Sequence, residues 1–233
     1  MGFFLDPILR IIMTSIFKVF ALSAITIFAL ASCSSDKDQA AGSAGAKYVE
    51  GKHWTVLKDP IEYTLTKEQK GIIWEVFSYS CSHCNAYEPE ITQWRANTPE
   101  SIGLEHVPVY WNSNYAIQAQ AYYTAKVLKI AEKAHSKLFD TIHIQRVQIG
   151  SLADYAQFYS QFGISKEQFI ATSQSFVVKG MVEKARQISV NGKVEGTPSL
   201  IVNGKYLVDS KSGNRSEWLD IARFLVERDA KNQ

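Results

Sequence analysis

The stretch "GIIWEVFSYSCSHCNAYEPE", from Gly71 to Glu90, decides the fold. Its first part is a run of β-branched and aromatic residues from Ile72 to Phe77 with one embedded acid, which is typical of a central strand buried on both faces. From about Cys81 the residues follow a helical spacing instead, and Pro89 predicts a kink in that helix. A buried strand therefore leads through a short loop into a helix whose first turn carries Cys81 and Cys84.

This cysteine pair could form a metal site, a structural disulfide or a redox dithiol. A structural zinc site needs about four ligands, but the chain has no second cysteine pair, and His135 and His143 are eight residues apart. A structural disulfide across so short a loop removes little entropy from the unfolded chain. The residues therefore favour a redox dithiol formed by Cys81 and Cys84.

The two thiols are predicted to differ in acidity. Cys81, at the start of the helix, faces free backbone N–H groups and the positive end of the helix dipole, and both stabilise a thiolate. His83, if protonated, adds a nearby positive charge. Cys84 lies one turn later, is more enclosed, and is the predicted resolving thiol. Because a stabilised Cys81 thiolate favours the reduced form, the disulfide form is an oxidant, and the expected role is disulfide donor.

The rest of the chain has the composition of a globular protein. Its 233 residues are 46% hydrophobic and carry a formal net charge of +2. The charged residues are scattered singly, so no nucleic-acid partner is predicted. Strand candidates at Trp54–Leu57 and Gly103–Trp111 flank the central motif, helical periodicity runs from Asn114 to about Lys184, and a hairpin around Asn203–Gly204 precedes a helix from Ser216. This order predicts an α/β fold with a helical insertion.

The N-terminus carries an export signal. The fourteen residues from Val19 to Ser32 contain no charge and follow Lys18, as in the apolar region of a signal peptide. As a helix they span only about 21 Å, short of a hydrocarbon core of about 30 Å, so a permanent transmembrane span is the weaker interpretation. Met1 and Met13 both stand where translation could start.

A lipid attachment site is predicted at the end of this signal. Leu30–Cys33 resembles the bacterial lipobox, in which the cysteine is lipidated and becomes the mature N-terminus; an ordinary signal peptide with an incidental cysteine is the alternative. We therefore expect a lipoprotein signal peptide at 1–32 and a flexible leash at 33–46 that begins at lipidated Cys33. If Cys33 carries the lipid, Cys81 and Cys84 are the two remaining thiols. In an oxidising compartment they can form a disulfide only with each other.

Three segments together carry a family resemblance. The C-x-H-C pair after "EVFSYS", the segment "VEGKHWTVLKDP" at Val49–Pro60 and the tract "SFVVKGMVEKARQISVNGKVEGTPSLIVNGKYLV" at Ser175–Val208 resemble the DsbA family of periplasmic thiol:disulfide oxidoreductases. The resemblance extends from about Tyr48 to the C-terminus. It implies a thioredoxin fold interrupted by an inserted α-helical domain, with the thioredoxin-like domain at 47–111 and 185–233 and the helical insertion at 112–184.

The resemblance also implies roles for residues away from the cysteines. It identifies Thr197 and Pro198 as a cis-proline loop that lies against the dithiol and offers backbone to an extended substrate. A lone acid in a strand would ordinarily face solvent, but Glu75 matches a buried acid that assists proton transfer near Cys84.

Two positions depart from the best-known members of the family. Ser82 stands where those members have proline, and the dipeptide between the cysteines tunes the redox potential. His106 falls near the position of the lysine that usually accompanies the buried acid, so the electrostatic role of that pair is altered. The remaining histidines, His53, His135 and His143, are predicted at the surface or at the edge of the core.

The sequence thus predicts a periplasmic lipoprotein, tethered to the outer or inner membrane, that donates the Cys81–Cys84 disulfide to newly translocated, unfolded proteins with reduced cysteines. The resemblance implies a DsbB-like, quinone-linked membrane oxidase as the partner that restores the disulfide. The chain is expected to act as a monomer with no cofactor beyond its own disulfide and no metal. The alternatives are a disulfide reductase or isomerase, and a lipoprotein chaperone that binds peptides and has a vestigial dithiol.

Overall fold

The computed structural model describes residues 47–232. The predicted signal peptide at 1–32, the lipidation site at Cys33 and the leash at 33–46 lie outside these residues. In the described part of the chain, no helix combines the length and the apolar character that crossing a bilayer requires.

Five strands form one mixed sheet. They are β1 (Thr55–Val56), β2 (Gly71–Phe77), β3 (Ile102–Pro108), β4 (Ser199–Val202) and β5 (Tyr206–Val208). Their order across the sheet is β1-β5-β4-β2-β3, with β2 parallel to β3 and antiparallel to β4. Every residue of β2 is buried, as its apolar sequence predicts. The strand that precedes the cysteine pair is therefore an interior strand of the sheet.

A tight turn connects β4 and β5. Three residues separate the strands, and the first two, Asn203 and Gly204, have positive φ values of 49° and 60°, so the predicted hairpin is confirmed. A Cβ atom at Gly204 would lie 2.0 Å from the carbonyl oxygen of Ile61, and glycine is thus needed for space as well as for conformation.

Seven helices complete the fold in the described residues. They are α1 (Ser82–Ala96), α2 (Ser113–Val127), α3 (Ala131–His143), α4 (Leu152–Tyr159), α5 (Lys166–Ser173), α6 (Phe176–Asn191) and α7 (Trp218–Lys231). Ser151 and Asp154 form a capping box that opens α4 with both reciprocal hydrogen bonds. Helix α6 continues beyond residue 184, where the predicted insertion ends. The domain boundaries themselves stay a prediction.

The helices bury the sheet with two apolar clusters. One cluster joins Ile73 and Leu200 of the sheet to Tyr87 of α1 and Leu225 of α7. The other contains Trp74 of β2 and most of the buried residues of α2 to α6. Because successive side chains of a strand point to opposite faces, neighbouring residues of β2 contribute to different clusters. The first turn of α1 thus emerges from a sheet that is covered on both faces.

Candidate active site

Cys81 is the N-cap residue of α1. Its backbone is extended, with φ −87° and ψ 115°, and its sulfur lies 3.4 Å from the backbone nitrogen of Cys84, which donates to it. N-cap side chains accept from the free N–H groups of the first helical turn, so this position directs those donors at the sulfur. Both thiols are free, and the structure therefore represents the reduced dithiol.

The thiol of Cys81 is unusually acidic. Hydrogen bonds from the Cys84 thiol, the Thr197 side chain and the backbone N–H groups of Cys84 and His83 lower the pKa of Cys81 to about 5, although partial burial acts in the opposite direction. These donors stabilise the negative charge more than the neutral thiol. Cys81 is consequently a thiolate at neutral pH in the reduced protein.

Cys84 has the opposite character. Its side chain is 1% exposed, and the pKa of its thiol is raised by the hydrogen bond to Cys81 and by burial, with a further contribution from the negative charge of Glu75. A strongly raised pKa keeps Cys84 protonated whenever the pair is reduced. The prediction that Cys84 is the more enclosed thiol is confirmed.

The loop before β4 lies against Cys81. The Thr197–Pro198 peptide bond is cis, and the carbonyl oxygen of Thr197 is 3.2 Å from the Cys81 sulfur. Pro198 is buried, while Thr197 is partly exposed and lines a surface cleft together with His83 and Trp218. Cys81 is also partly exposed, next to the Thr197 wall of this cleft.

The two residues between the cysteines face solvent. Ser82 begins α1, and both Ser82 and His83 are exposed. His83 lines the cleft beside Pro198, and its backbone N–H is one of the donors to Cys81. In the structure, His83 therefore stabilises the Cys81 thiolate through its backbone N–H.

Buried Glu75 pairs with His106, whose side chain is 25% exposed. They are direct neighbours in the parallel register of β2 and β3, and His106 Nδ1 lies 2.5 Å from Glu75 Oε2. Glu75 is 1% exposed, so the side chain is buried as the family resemblance implies. Burial lowers the pKa of His106, but the hydrogen bond and the charge of Glu75 more than offset it, and the net shift is upward.

The position predicted for His135 is wrong. Instead of lying at the surface or core edge, it is 4% exposed, and its ring contacts that of His106 with centroids 4.3 Å apart. The physical reason is helical periodicity: Leu138 and Phe139, three and four residues later, are also buried, so these side chains share the inner face of α3. That spacing is the signal in the sequence that indicates burial of His135.

The ligand-type atoms of Glu75, His106 and His135 lie within 4.8 Å of one another. Glu75 and His106 already hydrogen-bond to each other, and the planes of the two imidazole rings are tilted by 31°. Because His106 Nδ1 and Glu75 Oε2 are already occupied by each other, we assign no metal to this group.

Comparison with known proteins agrees with this geometry. Residues 95–217 match the DSBA-like thioredoxin domain family. The protein is 30% identical to the thiol:disulfide interchange protein DsbA of Pseudomonas aeruginosa over 183 residues, which cover 78% of this chain and 86% of that protein. The chain belongs to the DsbA family. It is therefore a disulfide oxidoreductase.

Other DsbA proteins support the same assignment. The DsbA of Azotobacter vinelandii is 29% identical over 213 residues, covering 91% of this chain and 96% of that protein. A crystal structure of a Pseudomonas aeruginosa DsbA variant superposes with a TM-score of 0.74 at 29% identity, covering 79% of this chain and 99% of that one. The predicted α/β thioredoxin fold with a helical insertion is thus confirmed as the DsbA fold.

The family match does not assign the site residues by itself. It begins at residue 95, so Cys81, Cys84 and Glu75 precede it, while Thr197 and Pro198 fall inside it. The roles of these residues remain predictions that rest on the geometry described above.

Proposed function

We propose that this protein donates the Cys81–Cys84 disulfide to newly exported, unfolded proteins that carry reduced cysteines. The observation that carries the proposal is the asymmetry of the two sulfurs, because an accessible sulfur with a stable thiolate stands beside a buried sulfur that stays protonated. A low pKa at the accessible cysteine stabilises the reduced form and makes the disulfide a strong oxidant.

The geometry supports a two-step exchange. A substrate thiolate attacks Cys81 Sγ in the cleft, the Cys81–Cys84 bond breaks, and Cys84 leaves with the electron pair and takes up a proton. A second substrate thiolate then attacks the substrate sulfur of the mixed disulfide and expels Cys81, which leaves readily because its thiolate is stabilised. The product is a substrate disulfide, and no cofactor other than the protein's own disulfide takes part.

The backbone around Pro198 fits an extended substrate. Thr197, Pro198 and His83 line the cleft, and the Thr197 carbonyl oxygen lies 3.2 Å from the sulfur of partly exposed Cys81. Its other walls include Lys211 and Arg215, so polar groups as well as apolar ones can contact a passing chain. We propose that a substrate segment lies in this cleft during the exchange.

The proposed location is the periplasm, with a lipid on Cys33 holding the protein at a membrane. The apolar segment at Val19–Ser32, the lipobox-like Leu30–Cys33 and the polar leash support this part of the proposal. Reoxidation requires an electron acceptor, and membership of the DsbA family favours a DsbB-like, quinone-linked membrane oxidase. We expect the protein to act as a monomer.

Oxidation of a reduced two-cysteine peptide tests this function. The oxidised wild-type protein should convert the peptide to its disulfide form, and Cys81→Ser should abolish the reaction. Reduced Cys84→Ser should accumulate a mixed disulfide through Cys81 when it is given an oxidised peptide, because the resolving thiol is missing. Mass spectrometry of acid-quenched samples identifies each species.

Further measurements separate the alternatives. An equilibrium with glutathione that lies far toward the reduced protein supports the donor role, whereas a weakly oxidising pair would favour the reductase or isomerase. Normal activity in cells after replacement of both cysteines by serine would favour the chaperone. Cys33→Ser is the matched control: it should keep peptide oxidation and lose sedimentation with membranes.

A further inference from the structure

The three residues between β2 and Cys81 are tied to helices that come later in the chain. We call Ser78, Tyr79 and Ser80 the active-site loop. Ser78 and Tyr79 are 2% and 1% exposed, and the carbonyl oxygen of Ser78 accepts a hydrogen bond of 3.1 Å from the backbone N–H of Cys81. The position of this loop therefore determines where the chain enters α1, and with it the place of the Cys81 sulfur.

The backbone of Tyr79 is bonded to side chains of α2 and α3. Its N–H donates to Gln118 Oε1 of α2 over 3.1 Å, and its carbonyl oxygen accepts a hydrogen bond of 2.8 Å from His143 Nε2 of α3. Gln118 Oε1 also accepts a hydrogen bond of 3.1 Å from the Ser78 hydroxyl. We call Gln118 and His143 the loop clamp. The loop is thus held by residues that lie 39 and 64 positions further along the chain.

The side chain of Tyr79 is anchored on the same side of the loop. Its ring contacts that of Phe139 on α3 with centroids 5.1 Å apart, and its hydroxyl lies 2.9 Å from His135 Nδ1 on the same helix. The backbone N–H, the backbone carbonyl and the hydroxyl of Tyr79 therefore all have a partner on α2 or α3. Such complete pairing is expected of buried polar groups, and it fixes the loop in one conformation.

The donors to the Cys81 thiolate are local, but they depend on where α1 begins. Cys81 accepts from the backbone N–H of Cys84 because it occupies the N-cap position with an extended backbone. Thr197 approaches the same sulfur from the loop before β4. A displaced loop would carry the sulfur away from both groups. The disulfide form has no charge on sulfur, so it depends less on these donors.

We propose that Gln118 and His143 are positioning residues for the dithiol, which hold the active-site loop so that Cys81 stays at the N-cap of α1 in the reduced protein. This inference deepens the proposed donor function and rests on it. By stabilising the reduced form more than the disulfide form, the loop clamp makes the disulfide a stronger oxidant. Both residues act through the backbone that leads to Cys81.

Two matched pairs of variants isolate the loop clamp. Gln118→Met keeps the length of the side chain and removes the acceptor. Gln120→Met makes the same change two positions along α2, where the side chain donates to the carbonyl oxygen of Ser173. His143→Leu removes the donor to Tyr79, whereas His143→Gln keeps an N–H donor. Because glutamine is neutral, recovery in His143→Gln also excludes an effect of histidine charge.

The equilibrium of the Cys81–Cys84 pair with glutathione is the first measurement. Each protein is equilibrated at neutral pH with mixtures of reduced and oxidised glutathione, quenched in acid and analysed by mass spectrometry. The second measurement is the rate at which iodoacetamide alkylates Cys81 as a function of pH, which reports the fraction of thiolate. Urea unfolding of the oxidised and reduced forms measures stability separately.

We expect Gln118→Met and His143→Leu to shift the glutathione equilibrium toward the oxidised protein by about threefold or more, the range that one net hydrogen bond supplies. Alkylation of Cys81 should require a higher pH in the same two variants, because the thiolate loses donors. Their reduced forms should lose more stability than their oxidised forms. Gln120→Met and His143→Gln should stay within about twofold of wild type in the glutathione equilibrium.

An unchanged glutathione equilibrium, with an equal loss of stability in the oxidised and reduced forms, overturns the proposal, because the loop clamp would then be merely structural. A shift toward the reduced protein overturns it as well. Equal shifts in Gln118→Met and Gln120→Met would also contradict it, since only the first of these residues bonds to the loop. If Gln118→Met does not fold, the two variants of His143 decide alone.

Failure of the loop clamp and failure of the donor function give different results. A strongly oxidising wild type, together with loop-clamp variants that match it, refutes the role of Gln118 and His143 and leaves the donor function standing. A wild type that is only weakly oxidising against glutathione contradicts both.

Discussion

The two sulfur atoms of the active site stand three positions apart in the chain, but their surroundings are built in different ways. Cys81 receives its donors from the first turn of its own helix and from Thr197. Cys84 is enclosed by the core, next to Glu75, and that carboxylate depends on His106 from another strand. The reactive sulfur is thus governed mainly by local geometry, and the buried sulfur by contacts between distant segments. The two thiols also hydrogen-bond to each other, so the independence is expected only between Cys81 and the Glu75–His106 pair.

The largest expected effect is on stability, from Glu75→Gln. Removing the charge weakens the hydrogen bond to His106, which should reduce the free energy of unfolding of the reduced protein by about 2 kcal/mol at pH 6. The pKa of His106 is raised in the folded state. The stabilisation from the Glu75–His106 pair is therefore fully present below the ordinary histidine pKa of about 6.5. It is lost as the pH rises through the raised pKa of the folded protein.

Urea unfolding of reduced wild type and Glu75→Gln at pH 6 and at pH 9 measures this difference. The ionisation of Cys81 affects both proteins equally and cancels. The loss of stability should be smaller at pH 9, and a loss that grows with pH would contradict the assignment of a raised pKa to His106. If Cys81 is independent of the Glu75–His106 pair, the alkylation rate of Cys81 should depend on pH in the same way in Glu75→Gln as in wild type.

The second effect concerns the acidity of Cys81. The Cys84 thiol provides the largest of the hydrogen bonds that lower the Cys81 pKa to about 5. In Cys84→Ala that bond is lost while the backbone donors of α1 remain, so the pKa should rise part of the way toward the ordinary thiol value. Cys81 should then react with iodoacetamide about tenfold more slowly than in wild type at pH 6.

The pH dependence of alkylation provides the check. In the reduced wild type the rate should be constant above pH 6 and should fall about tenfold per pH unit below the pKa. If Cys84→Ala reacts as rapidly as wild type at pH 6, the backbone alone stabilises the thiolate, and the contribution of Cys84 is refuted.

The same contrast explains how far the sequence predicts the site. A strand, a helix start and an Asn203–Gly204 turn are determined by neighbouring residues, so the sheet, the place of Cys81 and the hairpin follow from local patterns. The ring contact between His106 and His135 joins β3 to α3, and no local sequence pattern brings these residues together. The spacing of His135 to Leu138 and Phe139 predicts that His135 is buried, but it does not predict which residues His135 contacts. Likewise, the family resemblance was needed to place Glu75 in the interior.

The smallest effect is expected at Ser82, where the chain departs from the proline of the best-known family members. Ser82 is the first residue of α1. Proline is favoured at this position because the backbone N–H of the first helical residue has no partner within the helix, so its loss costs little. The backbone donors to Cys81 are the N–H groups of His83 and Cys84, and a proline at 82 removes neither. Ser82→Pro should therefore shift the equilibrium with glutathione by less than about tenfold, or less than about 30 mV for this two-electron couple. A larger shift would show that the residue at 82 acts on the disulfide by a route other than these donors, and the local account of Cys81 would then be incomplete.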